Sequence, residues 1–110
     1  MLKKNYRFPS SHLFSEIFKE GEMRENKFFE IFYKKNNLKH PRFGIIISSK
    51  VIPLAVERNS FKRTISQFLN NYANLCQEGI DLIILAKRGV REASSEELEE
   101  ALKDLLVSIS

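Results

Sequence analysis

Tryptophan is absent and cysteine occurs once, at Cys76. A single thiol excludes an intramolecular disulfide, so no cross-link staples this chain. Glycine and proline are scarce, at four and three residues, against nine Phe and three Tyr. That balance excludes a collagen-like or disordered chain, because apolar and aromatic side chains are plentiful enough to drive collapse. No run approaches the roughly 18 apolar residues that a membrane-spanning helix needs. The opening MLKKNYRFPSS has no apolar stretch after its lysines, so no secretory signal is expected. With the lone thiol, this leads us to expect a reducing, cytoplasmic setting.

What is present fits one domain over residues 1–110, with 43% apolar residues to fill a modest core. The net charge of +4 hides an asymmetry. Residues 1–91 carry 17 basic and 8 acidic side chains, a net of +9, whereas residues 92–110 carry one basic and six acidic, a net of −5. A basic body with an acidic final segment suits a polyanionic partner on one part of the surface.

Along the chain, residues 1–9 read as an extended basic lead-in. Pro9-Ser10-Ser11 signals a helix over 11–20, with Leu13, Phe14, Ile17 and Phe18 as its apolar stripe and Gly21 as its stop. A short strand near 22–26 is weakly signalled. KFFEIFYKK at 27–35 reads as a strand with Phe29, Ile31 and Tyr33 toward the core, and Phe28, Glu30, Phe32 and Lys34 on the other side. Residues 42–48 read as a strand apolar on both faces, hence central, and Gly44 inside it predicts a close approach by another group. A long helix is expected over 55–76, with Phe61, Ile65, Phe68, Leu69, Tyr72 and Cys76 on one face. IDLIILA at 80–86 is a buried strand. Ser94 and Glu97 form a capping box that opens a last helix with Leu98, Leu102, Leu105, Leu106 and Ile109 toward the core.

The most informative segment is Ala55 to Arg63. On a helix, Arg58 and Lys62 lie one turn apart beside the apolar stripe, and Asn59, Arg63 and Ser66 continue around the polar side. Glu57 is the only acid there. Guanidinium and ammonium groups beside an amide suit phosphates and sugars. A solvated helix face carries the same pattern, so the band alone leaves both readings open.

The residues around it narrow the choice. Arg58-Asn59-x-x-Lys62-Arg63 after Ala55-Val56 resembles the signature of the bacterial ribonuclease P protein component. Arg42-Phe43-Gly44 on a strand, Ser49-Lys50 in a turn, Phe14-x-x-x-Phe18-x-x-Gly21 on the first helix, the aromatic strand from Phe29 to Tyr33 and the basic exit Lys87-Arg88 follow the same family pattern in order. The chain departs from it at Ser60 and Ser66, where the family usually carries cations. The family's Lys-Lys turn is reduced here to Ser49-Lys50, and Pro53-Leu54 replaces a usually small or basic stretch.

The resemblance implies an α+β sandwich of order α-β-β-β-α-β-α, similar to the second domain of a small-subunit ribosomal protein. It would have a four-stranded mixed sheet, helices mainly on one side, and a left-handed β-α-β crossover against the usual hand. It further implies a subunit that binds a catalytic RNA and the 5′ leader of precursor tRNA. RNA contacts would come from Arg58, Asn59, Lys62, Arg63, Ser66, Lys50, Arg42, Lys87 and Arg88, and a leader cleft from Phe14, Phe18, Phe32 and Lys34. Magnesium would be held by the RNA, with no catalytic or metal-ligating side chain in this chain and a monomeric protein outside the ribonucleoprotein. Two rivals stand beside this reading. One is a structured-RNA-binding protein of ribosomal type; the other is a self-sufficient small ribonuclease using His12, His40 or an acid pair. His12 and His40 lack adjacent acids in sequence, and Glu96, Glu97, Glu99 and Glu100 suit the start of a helix.

Overall fold

The computed structural model describes residues 2–75 and 79–109. Helix α1 (His12–Glu20) precedes strands β1 (Glu22–Glu25), β2 (Phe29–Lys35) and β3 (Arg42–Ile46). Helix α2 (Ala55–Leu75), strand β4 (Ile80–Ala86) and helix α3 (Ser95–Ser108) complete the order, with short 3-10 turns at Lys4–Tyr6 and Val90–Glu92. The expected place of Cys76 on the apolar face of the long helix lies outside the described residues.

The four strands form one mixed sheet in the order β1-β2-β4-β3. β2 runs antiparallel to both β1 and β4, and β3 runs parallel to β4. α2 therefore joins two parallel neighbours. The alternation of β2 resolves as expected, with Phe29, Ile31 and Tyr33 buried and Glu30, Phe32 and Lys34 half-buried. The main core lies on that face, where Phe43, Leu82 and Ile84 meet Ile65 and Leu69 of α2 and Leu98, Leu102, Leu105 and Leu106 of α3. Ser94 opens α3 with the expected reciprocal bonds: the Glu97 amide donates to Ser94 Oγ at 3.2 Å, and the Ser94 amide donates to Glu97 Oε1 at 3.0 Å. Asn26, which sequence reasoning passed over, pins the β1–β2 turn. Its Oδ1 accepts from the amides of Phe28 and Phe29, and its Nδ2 donates to the Ala101 carbonyl of α3 at 2.9 Å.

α1 covers the opposite face. Gly44, Ile83, Phe32 and Met23 lie in one cross-strand row, and α1 sets Phe14, Ile17 and Phe18 over it. The close approach predicted at Gly44 is that of Phe14: a Cβ on Gly44 would stand 2.6 Å from the ring's Cε1 and Cζ.

Two expectations need correction. β3 is an edge strand, and the central, doubly paired apolar strand is β4. β3 is apolar on both faces because both are covered, by the main core at Phe43 and by Phe14 at Gly44; strand neighbours are a separate matter. The lead-in is also packed. Leu2 and Tyr6 are buried, and Arg7 forms a parallel bridge with Phe43, covering part of the outer edge of β3.

Candidate nucleic-acid interface

The first turns of α2 carry the cationic band. Asn59 and Arg63 are exposed, Lys62 is half-buried, and Lys50 is exposed in the preceding turn, where its amide donates to Ser48 Oγ at 3.0 Å. Glu57 is neutralised by Arg91, whose Nε lies 3.0 Å from its carboxylate. The band thus presents net positive charge to any polyanion. Arg58 has a second role that periodicity could not reveal. Its Nη1 donates to the carbonyls of Ile52 and Pro53, both at 2.8 Å, and so fastens the loop that enters the helix.

Ser66 is not on the exposed polar side where helical spacing placed it. It is 1% exposed, on the floor of a cavity of about 280 Å³ lined also by Leu2, Arg7, Ile45 and Lys62. The reason is rotation: a residue one turn beyond Lys62 turns under the packed lead-in, whose burial the sequence did not disclose.

Arg42 is likewise spent internally. Its Nε and Nη2 donate to the two carboxylate oxygens of Asp81 at 2.8 Å each, and Asn36 Nδ2 donates to Asp81 Oδ1 at 2.8 Å. The hydrogen bonds of Arg42 to Asp81 raise its guanidinium pKa above its ordinary value, against the opposing effect of burial. Arg42 therefore ties β3 to β4, and the donors it gives to Asp81 are already engaged. Lys87 donates to Glu25 at 3.1 Å and to the Asn26 carbonyl at 3.0 Å, closing the other end of the sheet. Arg88 is exposed in the turn that follows, where Gly89 takes φ +99°.

On the α1 side Phe18 and Phe32 come together, whereas Phe14 lies over Gly44 and pairs with Phe8. The rings of Phe18 and Phe32 meet edge-to-face with centroids 4.8 Å apart, and those of Phe8 and Phe14 at 5.0 Å. Phe32 is half-buried and Phe18 is 40% exposed, so the pair both packs and offers ring surface. Met23, opposite Phe32 on β1, extends this surface at 48% exposure. Sequence reading missed it because β1 was only weakly signalled. Lys34 is held by Glu16 at 2.9 Å and Glu20 at 3.4 Å. The hydrogen bond with Lys34 keeps the Glu16 carboxyl below its ordinary range, and the same bond raises the Lys34 ammonium. An anion at Lys34 must therefore compete with two carboxylates. An aromatic and thioether surface beside a partly neutralised lysine can stack an unpaired base.

His12 is exposed, while His40 packs against Tyr6 with Nδ1 3.1 Å from the Pro41 carbonyl. Among the described residues no three His, Cys, Asp or Glu side chains gather to hold a metal ion, and no helix is long and apolar enough to cross a membrane.

The family model of ribonuclease P matches residues 2–110. A ribonuclease P protein component of Streptococcus pneumoniae is 33% identical over 105 residues, which cover 96% of this chain and 85% of that one. The RNase P protein of Thermotoga maritima superposes with a TM-score of 0.86 at 26% identity, over 94% of this chain and 97% of that chain. The RNase P protein of Staphylococcus aureus does so with 0.86 at 25% identity, over 96% and 95%. The mixed α+β fold, the order of its elements and these matches place the chain in the family of ribonuclease P protein components.

Proposed function

We propose that this chain is the protein subunit of a ribonucleoprotein that removes the 5′ leader from precursor tRNA. It would act in the cytoplasm and be monomeric apart from the RNA. The α2 band docks on the catalytic RNA through Lys62, Arg63 and Asn59, with Lys50 and Arg88 beside it as further cationic contacts. Arg58 shares in that contact while holding the entry loop. The single-stranded leader lies along the Phe18–Phe32 surface. The observation that carries this reading is the separation of the two surfaces. The cationic band sits on a helix of one sheet face and the exposed rings sit on the other, so one small domain can touch two nucleic-acid segments at once.

Magnesium held by the RNA would supply the hydrolytic chemistry. This chain's residues contribute position. Cations lower the repulsion between RNA and leader phosphates, and stacking fixes the leader without regard to base identity. Reconstitution with the cognate RNA tests the reading: the holoenzyme should cleave precursor tRNA at a magnesium concentration where the RNA alone is slow, and the protein alone should not cleave. RNA binding with no change in cleavage would favour a structured-RNA-binding protein of ribosomal type. Cleavage by RNA-free protein that His12→Ala or His40→Ala abolishes would show a self-sufficient nuclease.

A further inference from the structure

The cationic band is preceded by an apolar patch. Leu54 is 59% exposed and Val56 81% exposed, and Pro53 and Ala55 between and before them are exposed as well. At about 100° per residue, Val56 lies on the same outward line of α2 as Asn59, Ser60 and Arg63, all three of them exposed. The bland reading is that isolated apolar side chains on a surface need no explanation. Two features argue against it here. Leu54 and Val56 belong to one contiguous exposed run, and neither side chain serves the helix locally. Leu54 is the N-cap, since its carbonyl accepts from the Arg58 amide at 3.0 Å, yet leucine has no side-chain acceptor for the first-turn amides. Val56 is β-branched on an exposed first turn, where straight side chains are better helix formers.

The patch is also held in place. Ile52 is fully buried, and Arg58 Nη1 binds the carbonyls of Ile52 and Pro53, so the loop presenting Leu54 is anchored on both sides. Exposed cations lie beside it: Lys50 in the preceding turn and Arg63 two turns along the same outward line, and the nearby acid Glu57 is already paired with Arg91.

We propose that Leu54 and Val56 form an apolar contact with the catalytic RNA, packing on an unpaired base or ribose face while the flanking cations hold its phosphates. This rests on the proposed docking of α2 on that RNA. An anchored aliphatic surface with exposed cations beside it suits a nucleic acid, whose bases and sugars are apolar on their faces and whose phosphates lie at their margins. Its physical signature is affinity that does not depend on counterion release. A phosphate contact contributes to the salt slope; a desolvated aliphatic contact does not.

The test uses the full chain and its refolded RNA partner, with affinity measured across a range of salt. The double variant Leu54→Ser, Val56→Ser should lose about tenfold in affinity, as expected for removing partial burial of two aliphatic side chains, with the salt slope unchanged. Arg63→Ala should make the slope shallower by about one unit. Leu54→Ser alone supplies a capping oxygen, so its melting temperature should hold or rise while RNA affinity falls, which separates contact from unfolding. Leu54→Lys should weaken the salt-independent part and steepen the slope by about one unit. Full affinity in the double variant, with Arg63→Ala behaving as stated, overturns the apolar contact and leaves the docking reading standing. If Arg63→Ala and Lys62→Ala also leave binding and slope unchanged, the docking reading fails and the contact with it. Unchanged RNA affinity, together with self-association of the parent chain that the double variant abolishes in sedimentation, would assign the patch to a second copy and likewise overturn the proposal.

Discussion

Phe32 shows how one side chain can serve packing and binding together. Its alternation with Ile31 and Tyr33 put it on the face away from the main core, yet that face is not simply solvent. Phe18 of α1 sits edge-on against it at 4.8 Å. Truncation to alanine would remove a packing partner and a stacking surface at once, so it cannot separate the two. Phe32→Leu keeps most of the volume and removes the aromatic face. We expect it to melt close to the parent and to reduce the preference of the holoenzyme for precursor over mature tRNA by about tenfold, in line with roughly 1–3 kcal/mol per stacked base. Equal weakening for both RNAs, measured by competition binding, would make the ring a packing residue only. Gly44 is the complementary case. It is small because Phe14 occupies the space above it.

Among the elements, α3 depends most visibly on its first turn. The Glu97 carboxyl accepts from the Ser94 amide, and that bond, followed by the one at the Ser94 hydroxyl, holds its pKa below the ordinary 4.5. A carboxylate with a depressed folded pKa contributes stability that is present above its unfolded value and is lost as pH falls through the folded one. The capping contribution should therefore be full at neutral pH and fade below about pH 4.5. Ser94→Ala should lower stability by about 1 kcal/mol at pH 7 in chemical denaturation, the usual magnitude for a lost N-cap. Glu97→Gln should flatten the acid limb of the stability profile relative to the parent; an unchanged limb would show that the box contributes nothing to it. α3 also carries five of the six acids of residues 92–110, with Glu96, Glu99, Glu100 and Asp104 exposed. The acid therefore lies on solvated helix surface, as the charge asymmetry of the sequence suggested.

For the whole molecule, the decisive polar feature is the junction of Arg42, Asp81 and Asn36, which joins β3, β4 and the end of β2. The Asp81 side chain is 8% exposed and that of Arg42 17%. Asp81→Ala strands a buried guanidinium and should cost about 3 kcal/mol in denaturant unfolding, whereas replacing both partners with apolar residues should cost much less. A loss below about 1 kcal/mol for the single variant would mean that water already reaches Arg42 and compensates it. Because the junction lies beside Phe8, whose ring Arg42 approaches at 5.9 Å, and Phe8 abuts Phe14, its loss should also loosen the α1 side of the sheet.

The sequence by itself determined the local structure. Helical spacing, the Ser94–Glu97 box, the β2 alternation and the apolar run at Ile80–Ala86 each depend on near neighbours in the chain, and each formed where its pattern predicted. It also determined the family, through motifs that keep their order along the chain. Tertiary structure decided the rest. β4 rather than β3 became central, because an apolar strand reports covered faces and not hydrogen-bonded neighbours. Ser66 went under the lead-in, Arg42 was consumed by Asp81, and Arg58 was given loop carbonyls as well as a place in the band. Each of these outcomes depends on a group distant in sequence or on a loop conformation. A side chain's chemistry is written in its residue type, but whether its charge or ring remains available is settled only when the chain has folded around it.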